Sequence, residues 1–337
     1  MCEKNRFLYL LTVLLLCIQP FIVSATEHNI VQTLVLPDGR LLDRVIVPGH
    51  PPEELQPTVR IPETDLLRGI NVIGNVPAFD WCYGCSATSG AMMAGHYDRV
   101  GYINAYAGPA NGGLCPLDNS VWGGGESPLA ATHQGYDALA TRGHVDDYYV
   151  SYGSAADDPY ITGGWTQHSY ADCTADFMKT SQSAFSNRDG STKFYYWPDG
   201  SPYSGTVNDD GGYGLALFFQ SRGYTVLTRF NQYIYGHSGN TLGFSFVEFM
   251  QEIDAGRPVL IHLDGHTMLG FGYDSASSTI YIHDTWDYND HSMTWGGSYS
   301  GMDHVGVSCV RLDGPPDMIF EDGFESAGTS AWSNAVP

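Results

Sequence analysis

Apolar runs bounded by turn residues are concentrated in the last third of the chain. Their lengths and boundaries predict strands over 224–230, 259–263, 267–273, 279–283 and 305–312. Apolar side chains at 246, 249, 250 and 253 follow helical spacing and predict an amphipathic helix that Gly256 ends. A shorter helix is predicted over 214–220. Together with a helix near the front of the chain, this late sheet predicts the α+β class.

The front of the chain divides into an arm and the start of the main domain. Alternating apolar residues on both sides of Pro-Asp-Gly at 37–39 predict a hairpin over 31–47, because proline presets the turn and glycine accepts positive φ. Prolines then recur over 48–62, so residues 26–68 are interpreted as an N-terminal arm and 69–313 as the main domain. Residues 85–97 lack proline and predict a helix that Gly101 can end.

Two segments break this regular pattern. Residues 104–212 carry many Gly, Tyr, Asp and Ser and few apolar runs, which indicates a long, loop-rich insertion with one helix near 171–185. Tyrosine and tryptophan recur through it, so its composition is not that of a disordered segment. Residues 314–337 begin with Gly-Pro-Pro and are acidic, which predicts a C-terminal tail.

The first 25 residues and the charge of the chain bear on its location. Lys4 and Arg6 precede an apolar stretch over 7–18, and small residues end at Ala25. This pattern predicts a signal peptide over 1–25 and a secreted or periplasmic protein, with an uncleaved anchor as the alternative. The formal net charge is −22 at pH 7. We therefore expect neither nucleic acid nor, after signal cleavage, a membrane surface as a partner.

Five cysteines follow the predicted signal peptide, at positions 82, 85, 115, 173 and 309. Cys82 and Cys85 have the spacing of half a zinc site, but no second close pair of Cys or His completes it. The same spacing occurs in thioredoxin-type redox pairs, although no βαβ pattern precedes it here. His262 and His266 are four apart in a strand context, whereas a metalloprotease motif needs a helix and a glutamate. We expect neither a metal nor a cofactor.

A nucleophilic cysteine explains more of the pattern. Cys85 would lie at the N-terminus of a helix, where free backbone N–H groups favour a thiolate. His266 opens a strand after an Asp-Gly turn, and the next strand runs back to Asp284. Pairing of those two strands would bring Asp284 beside His266, with a carboxylate on one imidazole nitrogen and the other nitrogen facing sulfur. The three residues are therefore candidates for a Cys–His–Asp triad.

These motifs resemble those of the bacteriocin-processing-like cysteine peptidases of family thirty-nine. The segment Cys-Ser-Ala-Thr-Ser at 85–89 is similar to the start of their catalytic helix. The segments 256–261 and 265–274 are similar to their histidine block, and 280–285 is similar to the strand that ends in their third catalytic residue. The resemblance covers residues 70–100 and 245–312.

The resemblance implies a papain-like fold, in which an N-terminal catalytic helix packs on a C-terminal antiparallel sheet. It implies a cysteine peptidase or amidohydrolase that acts on a peptide or protein through a thioester, with Cys85 as nucleophile, His266 as base and acid, and Asp284 as the orienting residue. Papain-like enzymes commonly hold the cysteine three residues before the nucleophile in a disulfide. By that resemblance Cys82 pairs with Cys115.

The chain departs from the family pattern at the expected oxyanion hole. Position 86 is Ser where the family usually has Gly, and position 87 is Ala rather than Pro. The glutamine expected about six residues before the nucleophile is absent, since Phe79 stands there and Asp80 follows. Loss of one side-chain donor at such a site costs about 10²- to 10³-fold in rate. The alternative hypothesis is therefore an inactive papain-like module that binds a partner.

Overall fold

The computed structural model describes residues 28–49, 56–106, 114–123, 125–131, 173–187 and 190–314. The predicted signal peptide over 1–25 lies outside them, as do residues 315–337 of the predicted tail. No helix in the described part of the chain combines the length and apolarity needed to cross a bilayer.

The described residues form an α+β structure, as predicted. The helices are α1 (Cys85–Arg99), α2 (Thr174–Met178), α3 (Gly211–Ser221) and α4 (Phe246–Asp254). The strands are β1 (Ile30–Val35), β2 (Leu41–Val47), β3 (Ile70–Val72), β4 (Thr192–Tyr196), β5 (Val226–Tyr233), β6 (Val259–Leu263), β7 (His266–Asp274), β8 (Thr279–His283), β9 (His291–Thr294), β10 (Ser298–Tyr299) and β11 (Met302–Leu312). Short 3-10 turns cover Leu66–Arg68, Asn119–Trp122, Ser183–Phe185 and His237–Gly239.

The larger sheet has eight strands, and all its pairings are antiparallel. Its main path runs β10-β11-β6-β7-β8-β9, with β3 added beside β7 and β5 beside β11. Strands β6, β7 and β8 are almost completely buried. This explains why their sequences read as continuous apolar runs rather than as alternating ones.

Helix α1 is buried from Cys85 to Asp98 and lies against this sheet. Its first half is built from small residues, so the helix backbone can approach β7 closely. The Ser89 hydroxyl donates a hydrogen bond to the Thr267 carbonyl oxygen at 3.1 Å. Farther along, Met92 and Met93 are fully buried in the core. The packing positions the start of α1 beside the start of β7.

The N-terminal hairpin is formed as predicted, by β1 and β2. The N–H of Gly39 donates to the Leu36 carbonyl at 2.8 Å, and Gly39 has φ +84°, which explains the glycine of the turn. Strand β2 also pairs with β4, so a strand from the predicted insertion joins the arm in one three-stranded sheet. The arm is thus packed on the body of the protein.

The helix predicted near 171–185 is shorter than expected. Helix α2 ends at Met178, because Lys179 and Ser181 both have left-handed φ values, +59° and +55°. Thr180 and Ser181 instead serve the loop between α2 and β4. The Ser181 hydroxyl donates to the Tyr83 carbonyl at 2.6 Å, just before the start of α1.

Candidate active site

The Cys85 sulfur lies at the first residue of α1 and faces β7. The residue before it, Gly84, has φ +155°, and Tyr83 has φ +56°, so the chain turns sharply into the helix. The backbone N–H of Thr267 donates to Cys85 Sγ at 3.2 Å. One backbone donor from the sheet therefore already points at the sulfur and can stabilise negative charge on it.

His266 is the first residue of β7, directly after the Asp264–Gly265 turn. Its Nε2 lies 2.7 Å from the backbone carbonyl oxygen of Asp284. A carbonyl oxygen can only accept, so Nε2 carries the hydrogen and Nδ1 of the neutral ring carries the lone pair. Nδ1 is buried and has no hydrogen-bond partner among the described residues. The fully buried ring also stacks on Trp286, with 4.2 Å between centroids.

The Asp284 carboxylate does not take the predicted position on His266. Its oxygens accept from the Tyr299 hydroxyl at 2.7 Å and from the Trp286 N–H at 3.0 Å, and His291 lies 3.5 Å away. The side chain is thus already satisfied by its own loop and by β10. Residue 284 contacts His266 through its backbone instead.

The turn that presents the Asp284 carbonyl is strained. Thr285, the next residue, has φ +66°, which is uncommon for a β-branched residue. Its hydroxyl is buried and has no partner among the described residues. Such conformations persist only where the surroundings enforce them, and they often occur at functional sites. The anchored carboxylate of Asp284 is one such constraint.

Backbone from the N-terminal arm closes the site from outside. Gly49, two residues after β2, has φ +76°, and a Cβ placed on it would lie 3.3 Å from Cys85 Sγ and 2.3 Å from the Gly190 carbonyl oxygen. The Trp81 indole N–H donates to the Gly49 carbonyl at 2.7 Å. We call residues 47–49 the covering segment. Cys85 and His266 are both fully buried with this segment in place.

Burial keeps both reacting groups neutral in this closed arrangement. It raises the pKa of the Cys85 thiol to about 11, against the opposing hydrogen bond from Thr267. It lowers the pKa of His266 to about 3, although the bond to the Asp284 carbonyl acts in the other direction. Burial therefore disfavours a charged pair of Cys85 and His266 in the closed site.

The predicted disulfide between Cys82 and Cys115 is not formed, since all five described cysteines are free thiols. The Cys82 N–H donates to Thr88 Oγ1, near the start of α1. Cys115 lies farther along, where its sulfur would be 2.8 Å from a Cβ on Gly95. The two helix residues they contact, Thr88 and Gly95, are seven residues apart, or roughly 10 Å at 1.5 Å per residue.

The position expected for the oxyanion glutamine belongs to the core. Phe79 is fully buried, and its ring packs edge-on against Trp122. The nearby amide of Asn119 donates to the Asp80 carbonyl, to Cys82 Sγ and to the Glu126 carbonyl. It therefore serves the loop before α1. Burial raises the pKa of the Asp80 carboxyl.

His291 and Asp287 were missed by sequence reasoning, although both follow Asp284 within seven residues. Ligand atoms of these three residues lie within 4.8 Å of one another, a spacing that could hold a cation. His291 Nδ1, however, lies 3.0 Å from the Pro57 carbonyl, and Nε2 lies 3.0 Å from Asp287 Oδ1. Both neighbours only accept, so both hydrogen bonds form together when His291 is an imidazolium.

The two histidines considered for a metal site, His262 and His266, do not converge on a common point. His262 Nδ1 lies 3.0 Å from Thr267 Oγ1, and its Nε2 lies 2.8 Å from Ser308 Oγ. His266 is held by Asp284 on its Nε2. Their ring nitrogens therefore serve separate hydrogen-bond networks.

Comparison with known proteins gives a match in the C-terminal half of the chain. Residues 199–300 match the family model described as Peptidase_C39 like family, which supports the resemblance to family thirty-nine peptidases. The matched segment contains His266 and Asp284, whereas Cys85 lies before it. No match was found among the curated proteins or among the solved structures.

Proposed function

Starting from this C39-like assignment, we propose that the protein is a cysteine peptidase or amidohydrolase with the papain-like arrangement of a catalytic helix on a sheet. Cys85 is the nucleophile, His266 the base and acid, and Asp284 the residue that orients the histidine through its carbonyl oxygen. The observation that carries the proposal is the orientation of His266. Asp284 holds Nε2–H at 2.7 Å and leaves the Nδ1 lone pair without a partner among the described residues, while the N–H of the next residue, Thr267, donates to Cys85 Sγ.

The reaction follows from these positions. His266 Nδ1 takes the thiol proton while Cys85 Sγ attacks the substrate carbonyl carbon. The imidazolium then gives that proton to the leaving amine, and a thioester remains. Water, deprotonated by His266, attacks the thioester carbon, which releases the acid and restores the thiol. The N–H groups of Thr267 and Cys85 are available for the negative charges that develop. The substrate is a peptide or protein, and export follows from the predicted signal peptide.

Hydrolysis of fluorescein-labelled denatured casein and of a synthetic peptide library, read by mass spectrometry, tests this function. Cys85→Ala is expected to abolish hydrolysis while the melting temperature stays nearly unchanged. The matched control is Cys115→Ala, which removes another buried free thiol and should retain hydrolysis. Hydrolysis by Cys85→Ala at the wild-type rate would refute the assignment, and a large fall in its melting temperature would mark Cys85 as structural.

A second candidate function is an inactive module that binds a partner. It is favoured by the complete burial of Cys85 and His266 and by the absence of a side-chain amide at position 79. Reaction with iodoacetamide at pH 6 separates the two functions. An enzyme should alkylate at Cys85 faster than a free thiol once the covering segment opens, whereas an inactive module should react no faster and should hydrolyse no peptide.

A further inference from the structure

A second hydrogen-bonded chain leads from Cys85 to a different histidine. Ser86 Oγ lies 3.9 Å from Cys85 Sγ, within reach of a thiol hydrogen, and 2.9 Å from Thr267 Oγ1. Thr267 Oγ1 lies 3.0 Å from His262 Nδ1, across the β6–β7 pair. All of these side chains are buried. Two hydroxyl groups therefore connect the sulfur to His262 without solvent.

The same chain continues beyond His262 to a fixed end. His262 Nε2 lies 2.8 Å from Ser308 Oγ, and the Ser308 hydroxyl donates to Asn231 Oδ1 at 2.7 Å. The Asn231 amide nitrogen donates to the Asp210 carboxylate at 2.7 Å and to the Tyr195 carbonyl at 3.2 Å. Because both of these partners accept hydrogen bonds, the amide atom that faces them is the nitrogen, and the atom that faces Ser308 is the oxygen.

The fixed end decides the tautomer of His262. Since Asn231 Oδ1 can only accept, Ser308 donates its single hydroxyl hydrogen to that oxygen. Ser308 Oγ must then accept from His262, so Nε2 carries the hydrogen. In the neutral ring, Nδ1 therefore presents a lone pair towards Thr267.

That lone pair sets the direction of the remaining bonds. Thr267 donates its hydroxyl hydrogen to His262 Nδ1 and can only accept from Ser86. Ser86 donates its own hydrogen to Thr267 Oγ1. The free lone pair of Ser86 Oγ then faces Cys85 and can accept the thiol hydrogen. Every bond in the chain points from sulfur towards His262.

We propose that His262 is a positioning residue and second proton acceptor for the Cys85 thiol, an inference that rests on the proposed nucleophilic role of Cys85. The S–H bond breaks and an O–H bond forms at Ser86. The Ser86 hydroxyl proton passes to Thr267, and the Thr267 hydroxyl proton passes to His262 Nδ1. The products are a thiolate and an imidazolium, with both hydroxyl groups intact.

The shift improves the surroundings of the sulfur. After it, the Ser86 hydroxyl donates to the thiolate, beside the existing donor from the Thr267 backbone N–H. In the neutral state burial holds the pKa of the thiol at about 11 and that of His262 at about 3, with His304 also acting against a charge on His262. Transfer of one proton along these hydrogen bonds charges both groups together, and the thiolate then has two donors, the Ser86 hydroxyl and the Thr267 N–H. Serine at 86, where the resemblance expects glycine, supplies the first link.

Replacement of the Thr267 side chain tests the hydrogen-bonded connection between Cys85 and His262, and it leaves the Thr267 backbone N–H in place. Thr267→Val removes the hydroxyl with nearly the same shape, and Thr267→Ser restores it. The readout is the second-order rate of Cys85 alkylation by iodoacetamide between pH 5 and 10, quantified by mass spectrometry. Both variants have the same covering segment, so the effect of its opening cancels in the ratio of their alkylation rates. We expect Thr267→Val to react at least about tenfold more slowly at pH 7, with its pH profile displaced to higher pH.

Further variants and a spectroscopic signature complete the test. Ser86→Ala removes another hydroxyl of this connection and should give the same loss. Ser89→Ala removes a buried hydroxyl on the same helix that donates to the Thr267 backbone carbonyl, and this variant should react as wild type does. Nitrogen-15 NMR of the His262 ring should show the Nε2–H tautomer. Equal or faster alkylation of both Thr267→Val and Ser86→Ala, or an Nδ1–H tautomer, would overturn the proposal.

This test is independent of hydrolysis. Slower alkylation of Thr267→Val in a protein that cleaves no peptide would sustain the role of His262 and reject the peptidase. Loss of hydrolysis in Cys85→Ala, together with equal alkylation rates of Thr267→Val and Thr267→Ser, would sustain the peptidase and reject the role of His262.

Discussion

Alanine at position 49 should open the candidate site, because a side chain there has no room. Gly49 has φ +76°, and its Cβ would lie 2.3 Å from the Gly190 carbonyl oxygen, which is far inside contact distance and cannot rotate away. The left-handed conformation costs alanine about 1 kcal/mol. The clash forces the covering segment outward, which breaks the bond from the Trp81 indole, worth about 1 kcal/mol.

These two terms together shift the opening equilibrium of the covering segment by about 2 kcal/mol, or about 30-fold. If opening precedes the reaction, iodoacetamide should alkylate Cys85 faster by that factor in Gly49→Ala than in wild type. The matched control is Gly39→Ala, which has a similar φ of +84° but no heavy atom within 4 Å of the new Cβ. It bears the conformational cost without the clash and should leave the alkylation rate unchanged.

The assay measures modification of each cysteine by mass spectrometry in native buffer. The other buried thiols serve as internal controls, because global unfolding would expose all of them together. Equal rates at Cys85 in the Gly49→Ala and Gly39→Ala proteins would refute the view that the covering segment limits access. A rise at all cysteines together would show global destabilisation instead.

Three further predictions concern the surroundings of the site. Tyr299→Phe removes one hydrogen-bond donor from the buried Asp284 carboxylate. The free energy of unfolding, measured by urea titration, should therefore fall by about 1 to 3 kcal/mol, and hydrolysis should slow. Unchanged stability and unchanged hydrolysis would mean that this hydrogen bond is dispensable. Asp284 and Asp287 raise the pKa of His291 above 6.5, although burial alone would lower it. The stability that wild type gains over His291→Gln should therefore be full below pH 6.5 and decline as the pH rises through the raised value; an advantage that grows with pH would contradict this sign. Because the described cysteines are free, dithiothreitol should not change the melting temperature, whereas a fall of several degrees would indicate a disulfide.

Sequence periodicity was most reliable where local pattern and burial agree. The bounds of β6 and β8 match the predicted 259–263 and 279–283, since short, fully buried strands between turns leave little freedom. The start of α1 at Cys85 and the opening of β7 at His266 also follow from local signals, namely the glycines directly before both residues. In the structure, His266 contacts the Asp284 carbonyl and the next residue, Thr267, contacts Cys85 Sγ.

The amino-acid sequence by itself therefore determined the class of the fold, the hairpin and the candidates for the reacting residues, because each is indicated by a local pattern of residue types along the chain. Tertiary structure decided the rest. It turned the Asp284 carboxylate towards Tyr299, left Cys82 and Cys115 as separate free thiols and placed Gly49 against the Cys85 sulfur. It also aligned hydroxyls from separate elements into the chain to His262. These features depend on which distant groups compete for the same hydrogen bond or the same space, and no spacing along a chain encodes that competition.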